Sequence, residues 1–128
     1  MKILGIGVDL IDNKRIKTLL KNKDFIKRTF GVNEIKFSKK ILNKNNYFAK
    51  RFAAKESLAK SLGTGFRNNL NFKDIEILND KIGKPYYLES KKINDIINQR
   101  FKTKKYNLFL SISDEKEYSI AFTILQKK

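Results

Sequence analysis

Apolar and polar positions alternate along residues 2–11. Leu4, Ile6, Val8 and Leu10 share one face of a strand, and Gly5, Gly7 and Asp9 share the other. The first set is expected in the core. The second is expected to leave room, because glycine inside a strand often marks close approach by a ligand or another backbone. Asp9 is therefore read as pointing into a space rather than into packing. A bare carboxylate in that setting is costly to desolvate unless something pairs with it.

From residue 12 the period becomes helical. Asp12 or Asn13 can cap a short helix through about Leu20. Ile16, Leu19 and Leu20 turn inward, while Lys14, Arg15, Lys17 and Lys21 turn out. A second helix is expected at about 24–30, ended by Gly31, and a third at about 34–42, capped by Asn33. Residues 43–46 read as a loop. The longest helix, YFAKRFAAKESLAKSL at 47–62, is stopped by Gly63-Thr64-Gly65. Strands are expected near 72–79, 85–88, 106–113 and 117–125, the last two forming a hairpin around Asp114-Glu115-Lys116. A helix at about 90–101 lies between them, and Gly83-Lys84-Pro85 is a turn. The order implies an α+β fold, a small antiparallel sheet packed with helices, in one domain spanning 1–128.

Composition narrows the class. With 128 residues, 41% hydrophobic and 33% charged, the chain can build one real core. No apolar run approaches the ~20 residues of a membrane span. The short apolar start carries Asp9 and makes a poor secretory signal. No cysteine is present, which excludes disulfides and thiolate zinc sites within the chain. These features together suggest a cytoplasmic protein. No histidine is present either, so acid–base work falls to carboxylates, lysines or bound water. The net charge of +16 should attract anions, although the lysines are scattered rather than blocked. A nucleic-acid module or a non-enzymatic interaction domain would use that charge, but neither explains Asp9.

The chemistry gathers around a second carboxylate. On the 47–62 helix, Glu56 shares a face with Phe52, Ala53, Ala59 and Lys60, and the alanines are expected to leave that face shallow. Glu56 and Lys60 also stand i,i+4 in the order that favours a surface ion pair, so spacing alone leaves two readings open. Taken with Asp9, a strand carboxylate and a helix carboxylate can converge on one hard cation. Mg²⁺ is often held by one or two carboxylates plus substrate phosphates.

Four stretches carry a resemblance: GIGVDLIDNKRI (5–16), RFAAKESLAKSLGTG (51–65), the GKP turn (83–85) and SISDEKEYSIAFTIL (111–125). Together with FIKRTFGVNE (25–34), they closely resemble the holo-acyl-carrier-protein synthase family of small phosphopantetheinyl transferases, in the same order from end to end. The resemblance implies Mg²⁺-dependent transfer, with Mn²⁺ left open as the alternative cation, of the phosphopantetheine arm of coenzyme A to a serine of apo acyl carrier protein. Adenosine 3′,5′-bisphosphate leaves, and the reaction supports fatty acid biosynthesis. Asp9 and Glu56 match the family's metal carboxylates, and Lys60 its lysine suited to the leaving group. Arg51, Gly63, Thr64 and Gly65 match coenzyme A positions. Lys84, Pro85, Ser111 and Ser113 match an opposing wall supplied by a neighbouring subunit of a homotrimer. Arg15 and Arg28 match the arginines that dock the acidic carrier. Neither nucleic acid nor a membrane is expected as a partner. One departure stands out: Asp114 occupies a position where the family commonly has a phosphate-contacting histidine, so it is expected to be a tolerated turn residue.

Overall fold

Strand β1 (Lys2–Asp12) opens the chain in the computed structural model, which describes residues 2–67 and 69–128. Three short helices follow: α1 (Asn13–Leu19), α2 (Lys23–Thr29) and α3 (Val32–Ser38). Then comes the long α4 (Lys44–Ser61), a single 3-10 turn (Phe72–Asp74), and strands β2 (Ile77–Asn79) and β3 (Pro85–Tyr87). Helix α5 (Lys91–Phe101) leads into the hairpin β4 (Tyr106–Asp114) and β5 (Tyr118–Lys127). β1, β5 and β4 form an antiparallel sheet in that order, and β2 and β3 form a separate pair. The α+β class is as expected.

Side-chain chemistry sets most boundaries. The Asp12 carboxylate accepts from the Lys14 N–H and starts α1. Asn22 caps α2 in the same way. The third helix departs from expectation: its cap is Gly31, not Asn33, and it stops at Ser38. Glu34 reaches back to the Gly31 N–H at 3.0 Å, and Glu76 accepts from the N–H groups of Asn33 and Glu34. Helix α4 starts earlier than read, at Lys44, because Asn43 caps it through Asn46 N–H at 3.1 Å. The first part of the strand expected at 72–79 is the 3-10 turn and a two-residue link, leaving only β2 as strand.

From Gly5 onward the two faces of β1 are the reverse of the alternation reading, whereas Leu4, at the register shift between Ile3 and Gly5, packs partly buried against the core as expected. Ile6, Val8 and Leu10 are 59%, 48% and 62% exposed, so this face is not core within the chain. The glycine face is the packed one. A Cβ on Gly5 would lie 1.8 Å from the Ser61 carbonyl oxygen, and one on Gly7 1.8 Å from that of Ser57. The glycines therefore admit helix α4, not a ligand. The alanines of α4 serve the same contact: Ala49, Ala53, Ala54 and Ala59 are buried rather than shallow. Leu58 and Leu62 on α4 and Leu125 on the inner face of β5 complete this layer.

Between α4 and the opposite shell lies an aromatic cluster. Phe25, Phe30, Phe48, Phe52, Phe66 and Phe72 pack with neighbouring ring centroids 3.9–6.2 Å apart. Buried within it, Lys55 Nζ bonds Glu34 Oε1 at 2.7 Å and the carbonyls of Phe72 and Ile75, both side chains being 0% exposed. Glu34 also accepts from the Ile77 N–H at 2.9 Å. This pair ties α3, α4 and β2 together.

Gly7→Ala should cost ~3 kcal/mol or more in urea unfolding, because a backbone carbonyl stands where the methyl must go. A loss below ~1 kcal/mol would mean that β1 and α4 can part without consequence.

Candidate active site

Each pair of residues along β1 advances one turn down antiparallel α4, from Gly5 opposite Ser61 to Gly7 opposite Ser57. That register carries Asp9 to the face of α4 that bears Glu56 and Lys60. Lys60 Nζ bonds the Asp9 carboxylate at 3.2 Å and the Val8 carbonyl at 2.9 Å. The expected i,i+4 partner, Glu56, is not the one Lys60 takes.

Both carboxylates are half-buried and both titrate abnormally. Burial pushes the Asp9 carboxyl above its ordinary range, while the Lys60 hydrogen bond and charge, and the Arg15 charge, pull it back. Burial also raises Glu56, the Asp9 charge raises it further, and Lys60 and Arg15 oppose. The Asp9 charge thus acts on Glu56 as a like charge does, disfavouring its ionised form. Among the described residues, no hydrogen bond or ion pair engages the Glu56 carboxylate, and no cluster of three metal-ligating side chains exists. Two desolvated oxygen donors of like charge suit a hard divalent cation that fills its other positions with water and substrate oxygens. The residues present fit that group.

At the end of α4, Gly63 (φ +77°) and Gly65 (φ +63°) take left-handed backbone. The Gly65 N–H returns to the Ala59 carbonyl at 3.2 Å, and Arg100 Nε donates to the Leu62 carbonyl at 2.8 Å. Twelve residues back, roughly 18 Å along the helix axis, Arg51 is buried against the Tyr47 ring, 3.7 Å from its centroid, and bonds Asn79. Arg51, Asn79, Gly83 and Pro85 border one cavity of about 120 Å³ with Lys50, Ile112 and Asp114. Among the described residues, two buried side-chain polar atoms have no hydrogen-bond partner: Arg51 Nε and Thr64 Oγ1. Both belong to residues expected to line a ligand, and an unmet buried donor or acceptor costs ~1–3 kcal/mol.

The remaining expected residues are dispersed. Lys84 is exposed in a turn where its N–H donates to Asp80 Oδ1 at 2.8 Å. Ser111 and Ser113 lie on the outer sheet face, in register with Phe122 and Ile120, away from Asp9. Arg51 and Pro85, expected on opposite walls, meet in one cavity of a single chain, while Gly63–Gly65 lie at the other end of α4. Arg15 and Arg28 stand on the exposed faces of α1 and α2, each 5.9 Å from a phenylalanine ring centroid. Sequence reasoning missed Lys55, although Phe48, Phe52, Lys55 and Ala59 follow the spacing of a buried helix stripe. It also missed Asn13 and Asn46, whose amides fasten the β4–β5 hairpin.

Residues 5–123 match the model of the 4′-phosphopantetheinyl transferase superfamily, the class that this fold and paired-carboxylate site define. Within it the chain belongs to the holo-[acyl-carrier-protein] synthase family. It is 59% identical over 128 residues to the holo-[acyl-carrier-protein] synthase of Pelagibacter ubique (strain HTCC1062), covering all of both chains. It is 42% identical over 126 residues to that of Clostridium tetani (strain Massachusetts / E88), covering 97% of this chain and 96% of the relative. The crystal structure of the Neisseria meningitidis enzyme superposes with a TM-score of 0.89 at 34% identity, over 98% of this chain and 100% of that one. The Bacillus anthracis enzyme, crystallised in complex with CoA (3′,5′-ADP), superposes at 0.82 and 34% identity over 98% of each chain.

Raised carboxyl pKa values mean that the fold holds these protons more tightly than the unfolded chain does. In metal-free buffer their ionisation opposes folding at neutral pH, and the penalty fades as pH falls through their raised values. Glu56→Gln should therefore raise the metal-free Tm at pH 7.5, with the gain shrinking toward pH 4, and should reduce the stabilisation given by added Mg²⁺. Scanning calorimetry measures both; an unchanged Mg²⁺ response would remove Glu56 from the site.

Proposed function

We propose that this chain binds coenzyme A and Mg²⁺ and transfers the phosphopantetheine arm to a serine of apo acyl carrier protein. The transferase activity follows from family membership across the full chain. The observation that carries the site assignment is the pair of desolvated carboxylates, Asp9 and Glu56, brought from different elements onto one face. They are the residues that would hold the metal. When bound, the cation supplies neutralisation of the pyrophosphate charge that grows as the bisphosphate departs.

The chain's own groups complete the chemistry. Lys60, half-exposed and beside Asp9, is the group that would neutralise or protonate the leaving phosphate. Glu56 has an open carboxylate and a raised pKa, so it is suited to accept the serine proton. Arg51 Nε and Thr64 Oγ1 are free to meet polar groups of coenzyme A. Arg15 and Arg28, with Lys14, Lys17 and Lys21, offer a basic face to an acidic carrier. No helix among the described residues is long and apolar enough to cross a membrane, in keeping with a reaction in the cytoplasm.

Two observations support a homotrimer with shared sites. The outer sheet face exposes Ile6, Val8, Leu10, Phe109, Tyr118, Ile120 and Phe122 together, an unusual apolar patch for a solvated sheet. Ser111 and Ser113 lie on that same face, so a second copy packed there could bring them to a neighbour's Asp9 and Glu56. Val8→Lys, at the middle of the patch, should shift sedimentation from trimer to monomer and lower transfer at least 10-fold. A wild-type monomer at micromolar concentration would exclude the shared site.

The activity is tested by mass spectrometry of apo acyl carrier protein incubated with the chain, coenzyme A and Mg²⁺. The expected result is a gain of one phosphopantetheine, abolished by EDTA and by Asp9→Asn. Undiminished transfer in EDTA would refute the metal assignment, and no gain at all would refute the activity.

A further inference from the structure

Two asparagine amides hold the β4–β5 hairpin. Asn13, buried at the start of α1, donates from Nδ2 to the carbonyls of Glu115 at 2.9 Å and Lys116 at 3.2 Å. Its Oδ1 accepts from Ser119 Oγ at 2.7 Å, and its N–H donates to the Glu117 carbonyl at 2.8 Å. Asn46, in the first turn of α4, donates from Nδ2 to the Glu115 carbonyl at 3.0 Å and to Asp114 Oδ2 at 2.9 Å. The hairpin is thus pinned at both helix starts, and only Asn46 grips a charged side chain.

That grip has an electrostatic consequence. Asp114 borders the 120 Å³ cavity that also touches Lys50 and Arg51. A carboxylate beside two cations would ordinarily pair with one of them. Here, among the described residues, no ion pair within 4 Å joins Asp114 to either, and its oxygen takes a neutral amide instead. Asn46 and Lys50 are i,i+4 on one face of α4, so the amide that takes the carboxylate sits one helical turn from the Lys50 backbone. Arg51 Nε is left without a partner.

We propose that Asn46 is a positioning residue that keeps the Asp114 carboxylate off Lys50 and off the unpartnered Nε of Arg51, whose other nitrogens already bond Tyr47 and Asn79, so that Lys50 and that Nε stay available to an anionic group of coenzyme A. This rests on the reading of the cavity as part of the coenzyme A site. It explains how an acidic residue is accommodated in a pocket that must take a phosphate: its charge is present but tethered. Freed, the carboxylate becomes an internal competitor for the cations.

The test is a cycle of Asn46→Ala, Asp114→Ala and the double variant, with coenzyme A affinity by calorimetry and KM and kcat from transfer. Asn46→Ala should weaken coenzyme A binding and raise its KM about five-fold, the scale of one charge contact in a wet site, with kcat nearly constant. Adding Asp114→Ala to Asn46→Ala should restore affinity, because the competitor is gone. Asn46→Ser, too short to hold the carboxylate, should behave as Asn46→Ala does and serves if the alanine variant folds poorly. A double variant as weak as Asn46→Ala would overturn the proposal, since the loss would then come from a loosened hairpin. An Asn46→Ala affinity equal to wild type would overturn it too. Wild-type protein that binds no coenzyme A would overturn the reading of the cavity itself, and the proposal with it.

Discussion

The backbone contact between β1 and α4 is the constraint on which the rest depends. Gly5 and Gly7 let the helix approach until a methyl would collide with the Ser61 and Ser57 carbonyls. At that distance the relative register of strand and helix cannot slide, because interdigitated backbones have discrete fits. Asp9 is therefore placed by glycines two and four residues before it. The hydroxyl cluster beside Gly7, on the same side of the helix, reinforces this register. Ser57 Oγ meets Thr123 Oγ1 at 2.6 Å, and the Tyr87 hydroxyl donates to the Ala54 carbonyl at 2.6 Å. α4 is thus fixed to β1, β5 and β3 along the stretch that presents Glu56.

Rotation of α4 about its own axis needs a second anchor, and the Lys55–Glu34 pair supplies it. A buried ion pair is weak evidence for net stability, since desolvating two charges costs several kcal/mol per ion. Its geometry is more telling than its energy. Lys55 bonds two carbonyls as well as Glu34, and Glu34 accepts two backbone N–H groups, so nearly every donor and acceptor is used. Moving Lys55 would break its bonds to Glu34, Phe72 and Ile75 at once. Glu56, the next residue, inherits that fixed rotation and is turned about 100° around the helix from Lys55.

Much of this was legible in the residues. The β1 alternation, the α1 cap, the hairpin turn and the long helix with its glycine stop follow from local rules, and the structure has them. The sign of the β1 faces was not legible. Alternation shows that two faces differ, but not which is buried, and an apolar face left exposed on the chain reads like a core face. The α3 cap was misread because its decisive partner, Glu76, lies over forty residues away. Lys55 was hidden by its type: lysine is almost never fully buried, and only the helical stripe around it gave the signal. Asn46 and Asn13 act through tertiary contacts that no local pattern encodes.

The charge of the whole chain sharpens the role of the site. With +16 overall, the surrounding field favours ionised carboxylates, and Lys60 and Arg15 stand close enough to act individually. Yet burial outweighs both cations at Asp9 and, joined by the Asp9 charge, outweighs them at Glu56. Distant lysines are screened beyond ~8 Å at physiological salt, so sixteen excess charges do little for two desolvated oxygens. What remains unmet is local: the desolvation of two half-buried carboxylates. Attraction of anions over a distance and the charge balance at these two carboxylates are thus separate matters. The scattered lysines act on the first, and only charges as near as Lys60 and Arg15 act on the second.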